Sequence, residues 1–155
     1  MKRVLIITYY WPPAGGPGVQ RWLKFVKYLP TFNVQPVVFI PQNPHYPILD
    51  PALVAEISKT AEIIKLPIRE PYALAKRFSA KKTKQLSSGI LPNKKTALLE
   101  KLMLWVRGNF FIPDARVGWV APSVSFLTHY IEKTPVTAVI TTGPPHSLHL
   151  IGLKL

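Results

Sequence analysis

Cysteine is absent from the 155 residues, which removes disulfides, thiolate metal sites and cysteine nucleophiles together and points to a reducing compartment. Acidic residues are scarce: seven Asp and Glu stand against twenty Lys and Arg, a formal net charge of +13. Such a surplus draws a chain toward phosphate-bearing partners, whether nucleic acid, anionic lipid or nucleotide. No apolar run approaches the roughly 18 residues needed to cross a bilayer. The opening Met1-Lys2-Arg3-Val4-Leu5-Ile6-Ile7-Thr8 imitates a secretory signal. Its apolar run is far shorter than the roughly 7 to 15 residues a signal requires, and it meets Tyr9-Tyr10-Trp11-Pro12-Pro13. Export is rejected on that ground, and a cytoplasmic location is expected.

Several chemical signatures are missing as well. No D-x-D occurs among Asp50, Glu56, Glu62, Glu70, Glu100, Asp114 and Glu132, so the usual carboxylate grip on a metal-bound nucleotide is absent. No G-x-x-x-x-G-K-[ST] exists, and Gly16-Pro17-Gly18 starts a dinucleotide fingerprint that fails at Arg21. A P-loop nucleoside triphosphatase and a simple dinucleotide-binding domain are both disfavoured.

What remains is an ordinary globular composition, 48% hydrophobic and 17% charged, fitting one core. A chain this long buries about 68 to 70% of its unfolded surface and needs no staples. Apolar residues 3 to 8 read as a strand. Pro12-Pro13-Ala14-Gly15-Gly16-Pro17-Gly18 reads as a loop, and Val19, Trp22, Leu23 and Val26 recur at helical spacing. Val34 to Ile40 and Ala61 to Leu66 are further strands, with Asp50-Pro51 opening a short helix as cap and first residue. A helix is predicted from about Pro122 to Lys133, a fourth strand over Val136 to Thr142, and a last helix beginning near His146. The alternation predicts an α/β fold, a Rossmann-like parallel sheet with helices on both faces. Four strands make a thin sheet, and the final helix has about ten residues, so the chain reads as unfinished.

Charge is concentrated. Between Arg69 and Arg107 ten basic residues face Glu70 and Glu100, a net +8 of the whole +13. Ser79 to Lys95 reads as an exposed loop; Thr96 to Arg107 reads as a helix with Leu98, Leu99, Leu102, Trp105 and Val106 near one face. Three readings stand for this segment of about 69–108. It is a solvated loop, a membrane-surface patch in which Lys94, Lys95, Lys101, Trp105 and Arg107 meet anionic lipid, or a nucleic-acid surface. The last is disfavoured because no base-reading module accompanies the charge.

Two loops are placed to carry chemistry. In open parallel sheets ligands bind beyond the carboxyl ends of strands, where glycine lets backbone N–H groups approach an anion at a helix start. Gly15 and Gly16 hold that place after the first strand, and Thr141-Thr142-Gly143-Pro144-Pro145-His146-Ser147 holds it after the fourth. The alternative for the glycines is a plain connecting turn. His146 is either a helix-end packing residue or a substrate contact, since imidazole titrates near neutrality. His146 and His149 share a helical face, but without a carboxylate partner no metal site is assigned. Asp114, followed by Arg116, is either a local ion pair or helix cap or an acceptor contact.

The residues Val4 to Gly16, then Arg21-Trp22 and Leu29, Ile112-Pro113-Asp114, Trp119 and Thr141 to Ser147 together resemble the N-terminal domain of family 4 retaining glycosyltransferases. These are GT-B enzymes with two Rossmann-like domains facing a cleft, and the resemblance covers essentially all of 1–155. It implies an acceptor-side domain whose nucleotide-sugar partner domain is absent from this chain. Gly15 and Gly16 are then expected against the donor diphosphate and His146 near the reacting sugar. Arg21, Asp114, Thr141, Thr142 and Gly143 are expected in the cleft. Relatives often carry their active-site histidine slightly earlier in the loop, where this chain has Thr141 or Thr142. The resemblance further implies metal independence, no cofactor beyond the nucleotide-sugar co-substrate, and a glycan or lipid-linked acceptor such as those of the cell envelope. It also implies peripheral attachment to the inner membrane face. Glu62 and Glu70 have the family's E-x7-E spacing but bracket a strand in the wrong half, which marks a coincidence, and the isolated chain is expected to transfer no sugar. The rival reading is a non-catalytic basic module for anionic membrane or nucleic acid.

Overall fold

The computed structural model describes residues 1–69, 105, 108–109 and 112–155. Four strands, β1 (Lys2–Ile7), β2 (Val34–Pro41), β3 (Glu62–Leu66) and β4 (Ala138–Thr141), form one all-parallel sheet in the order β3-β2-β1-β4. The fold is α/β and Rossmann-like. Leu5, Ile6 and Ile7 are all fully buried, as expected of a central parallel strand covered on both faces. Pro36 lies opposite Val4 in the first stretch of β2, ahead of the β3 ladder that begins at Val37, where a missing donor is tolerated.

Alternate residues of β1 and β2 feed two cores. On one face Ile6, Val38 and Ile40 pack beneath Val19, Leu23 and Val26 of helix α1 (Pro17–Tyr28) and Leu53 of a 3-10 turn, Pro51–Glu56. Asp50 caps that turn by accepting from the Ala52 amide at 3.2 Å. On the other face Leu5, Ile7, Val37 and Phe39 pack beneath helices α2 (Val120–Lys133) and α3 (Ser147–Leu153), through Val120, Leu127, Leu148 and Ile151. Phe39 stacks on Trp119 with centroids 5.0 Å apart and planes 13° from parallel, worth about 0.5–1.5 kcal/mol beyond its buried area.

Pro30 has no amide to continue the α-helical ladder, so the chain tightens into a 3-10 turn, Leu29–Phe32, after α1. It leaves through Asn33 at φ 60°, a left-handed conformation asparagine tolerates. At the amino edge of the sheet, Arg3, Glu62 and Tyr130 close a triangle: Arg3 donates to Glu62 and Tyr130, and the Tyr130 hydroxyl to Glu62, each at 2.7 Å. Burial first, then the Glu62 carboxylate, raises the Tyr130 pKa above its ordinary value. Glu62 is thus a tie between β1, β3 and α2, in keeping with the coincidental reading of its spacing to Glu70.

Boundaries shift modestly from expectation. β1 ends at Ile7 and β4 at Thr141, so Thr8 and Thr142 are the first residues of their loops. α2 starts at Val120 rather than Pro122, because a proline in the first helical turn loses no intrahelical bond. The expected 79–95 loop and nearly all of the 96–107 helix lie outside the described residues, and no described helix is long and apolar enough to cross a membrane.

Candidate functional site

The chain runs β1, β2, β3 to one side and then places β4 on the other side of β1, which makes the β1/β4 boundary the topological switch point. Loops leaving adjacent strands diverge there and open a crevice at the carboxyl edge. The β1 and β4 loops are tied at its floor. The Thr142 amide donates to Ile7 O at 3.0 Å, and the Thr142 hydroxyl to the Thr8 hydroxyl at 3.1 Å, which donates onward to Tyr10 O at 3.2 Å. Both threonines are buried, so this chain of hydroxyls satisfies groups that water does not reach.

The wall on the β1 side is the glycine loop. Its two glycines do different things. The Gly15 amide donates to Ile48 O at 3.0 Å, and a Cβ there meets Ile48 Cγ2 at 3.0 Å and Asp50 Cβ at 3.2 Å. Residue 15 is therefore glycine because the loop is pinned against segment 48–50, with Ala14 bridged to Leu49 and the Asp50 amide bonded to Pro13 O. Gly16 has open space around its Cβ position and φ 115°, forbidden in practice to other residues, and it caps α1. With Pro17 at the first helical position and no side-chain cap, the positive end of a 12-residue helix is left without a side-chain partner at the end of the loop that leaves β1. Arg21 stands exposed one turn further along, with no side-chain partner among the described residues.

The opposite wall is the 141–147 loop. Thr141 Oγ1 and His149 Nδ1 lie 2.8 Å apart, and the His146 and His149 rings face each other at 5.9 Å. Both rings crowd Gly143: a Cβ there meets His149 Nε2 at 2.9 Å and His146 Nδ1 at 3.2 Å. His146 stands at the N-cap position of α3 without a side-chain cap bond and is exposed. Among the described residues no group of three or more His, Cys, Asp or Glu gathers as a metal would require.

Asp114 is engaged by the protein. Its Oδ2 accepts from the Ser147 amide at 2.7 Å, and its Oδ1 from the Ser147 hydroxyl at 2.9 Å and the Arg116 amide at 2.8 Å. The expected Asp114–Arg116 contact is thus to backbone. The Arg116 guanidinium lies over the Tyr9 ring, 4.8 Å from its centroid, with Nη2 3.4 Å from the Tyr9 hydroxyl. Asp114 caps α3 from thirty-three residues away, a long-range version of the capping reading. Trp105 is exposed, and Lys94, Lys95, Lys101 and Arg107 lie outside the described residues.

A second concavity, a cleft of 430 Å³, opens on the far side of the glycine loop between Pro12-Pro13 and the carboxyl end of β2, where Pro41, Gln42, Tyr46 and Lys65 line it. Sequence reasoning missed it, along with Thr8, Ser147 and Arg116 as crevice-forming groups. Only strand adjacency pairs Thr8 with Thr142. The two loops offer glycine backbone, hydroxyls, imidazoles and cations, while the carboxylates beside them among the described residues, Asp50 and Asp114, already accept from backbone amides. That set suits binding of an anion rather than acid–base work by paired carboxylates.

Nothing matches. No protein-family model, curated protein or solved structure is similar to this chain at a significant level.

Proposed function

We propose that the chain is the acceptor-side domain of a retaining glycosyltransferase of GT-B architecture, moving a sugar from a nucleotide-sugar donor to a glycan or lipid-linked acceptor. The observation that carries the reading is the β1/β4 switch point, where the loop leading to Gly16 and the Thr141–Ser147 loop leave the carboxyl ends of adjacent strands and are tied together through Thr8 and Thr142. In this reading the open backbone at Gly16 and the positive end of α1 stabilise the departing diphosphate, whose charge develops as the sugar is transferred. His146, beside His149, which Thr141 steadies, borders the reacting sugar or the acceptor hydroxyl. Donor-holding carboxylates are assigned to a second domain, because Glu62 is committed to Arg3 and Tyr130 and Asp114 to Ser147.

Titrating the labelled chain with a nucleoside diphosphate and recording amide spectra tests this directly. Shifts are expected at 15–21 and 141–147, with Gly16→Val weakening them at least tenfold while leaving the remaining spectrum in place. Shifts confined to other surfaces, or unaltered binding by Gly16→Val, overturn the assignment. Turnover of a nucleotide sugar by the 155-residue chain alone, well above blank, overturns the division of labour between two domains.

A further inference from the structure

One side of the molecule carries an aromatic surface that the crevice does not use. Along α1 and the 3-10 turn that continues it, Phe25, Tyr28 and Phe32 are 53%, 55% and 77% exposed. They follow the spacing that brings residues onto the outer side of a helix whose inner stripe is Val19, Leu23 and Val26. Trp22 sits at the margin with its ring 5.4 Å from that of Phe25. Soluble surfaces rarely leave three neighbouring aromatic side chains in water without a partner.

Charge on this face is mostly basic, with Glu56 as the acid bonded to it. Arg21, Lys24 and Lys27 interleave with the aromatics, and Lys2 stands next to the turn through its amide bond to Asn33 O. Lys24 is paired with Glu56 at 2.5 Å, while Lys27 lies 6.0 Å from the Tyr28 ring centroid. Helix α1 itself contains no acid. Aromatic rings among cations on an amphipathic helix with no acid of its own suit the headgroup layer of an anionic bilayer, where rings insert and basic heads meet lipid phosphates, whereas a second copy of so basic a chain is repelled.

We propose that the outer face of α1 and its following turn, centred on Phe25, Tyr28 and Phe32, docks the protein onto an anionic lipid surface. This is a different surface from the 94–107 segment, and it stands whether or not the chain takes part in sugar transfer. Lying flat on this face, the protein holds the length of α1, with Gly16 at its start, along the membrane plane.

The absence of cysteine makes the test clean. Tyr28→Cys and Ser125→Cys, the latter on the exposed side of α2 across the sheet, each carry one environment-sensitive fluorophore. Vesicles of phosphatidylcholine with phosphatidylglycerol should shift the label at 28 to the blue and leave that at 125 unchanged; pure phosphatidylcholine should give a much weaker shift. In vesicle sedimentation of the unlabelled chain, Phe25→Ser/Tyr28→Ser/Phe32→Ser should lower partitioning at least tenfold, and Arg21→Gln/Lys27→Gln should lower the anionic preference by roughly fivefold per charge. Equal labelling shifts at both sites, or undiminished partitioning by the triple variant, overturn the proposal. So does a shift at 28 that grows with protein concentration in the absence of vesicles, which marks a second copy as the occupant.

Discussion

Asp114→Ala is the perturbation with the most structure behind it. Three donors converge on this carboxylate at 2.7 to 2.9 Å, two of them from Ser147, which is 1% exposed. Removing it leaves a buried amide and hydroxyl without their acceptor. Hydrogen bonds to charged groups contribute about 1.5–3 kcal/mol each, and loss of a helix cap costs about 0.5–2 kcal/mol. The contributions overlap because they share one side chain, so the expected loss is about 3 kcal/mol. For a chain of this size that is a fall in Tm of about 6–12 °C. Asp114→Asn keeps the shape and one acceptor oxygen but turns a donor toward donors, and should lose about half as much. Ser147→Ala removes only the hydroxyl bond to the carboxylate, about 1.5 kcal/mol, the low end for a bond to a charged group. Urea denaturation of the singles and the double gives a coupling energy, expected to be about 1 kcal/mol. A loss under about 0.5 kcal/mol for Asp114→Ala, or no coupling, refutes the claim that this carboxylate fastens the 141–147 loop.

Two smaller predictions bear on the same scaffold. Gly143→Ala forces the imidazoles of His146 and His149 apart, but both rings are exposed and give way, so stability should fall by less than about 1 kcal/mol. Histidine nitrogen spectra should shift for both rings, and unchanged spectra contradict the crowding. The Tyr130 phenol has its pKa raised by burial and by Glu62, so the folded state holds its proton at pH values where the unfolded chain has lost it. Its contribution is complete below about pH 10 and declines as pH rises from there toward the raised folded value. Tyr130→Phe should flatten that part of a stability–pH curve measured by denaturant titration; an unaltered slope removes Tyr130 as its source.

Much of the fold was legible because the local signals agree with one another. Val34 to Ile40 is β-branched and apolar, the Val19, Leu23 and Val26 stripe has helical spacing, and Asp50-Pro51 caps as such a pair should. Strand ends were read one or two residues long, since Thr8 and Thr142 have strand-forming side chains but sit where pairing stops. The candidate site was half legible. Loops after strands can be found in a sequence, so Gly16 and the Thr141–Ser147 loop were found. The separate jobs of Gly15 and Gly16 were not, because only the approach of segment 48–50 distinguishes them.

By itself the sequence determined the class: an α/β sandwich with glycine and histidine loops at one sheet edge and a large positive charge, since composition and periodicity are properties of the chain. Tertiary structure alone decided that β4 lies beside β1, and with it the crevice, the buried Thr8–Thr142 contact and the capture of Asp114 by Ser147. It likewise decided which aromatics stay in water: Phe25 and Phe39 are the same residue type, yet one faces solvent and the other is fully buried. The reason is common to all of these. Each depends on which segment arrives from far along the chain, and a local pattern carries no record of that arrival.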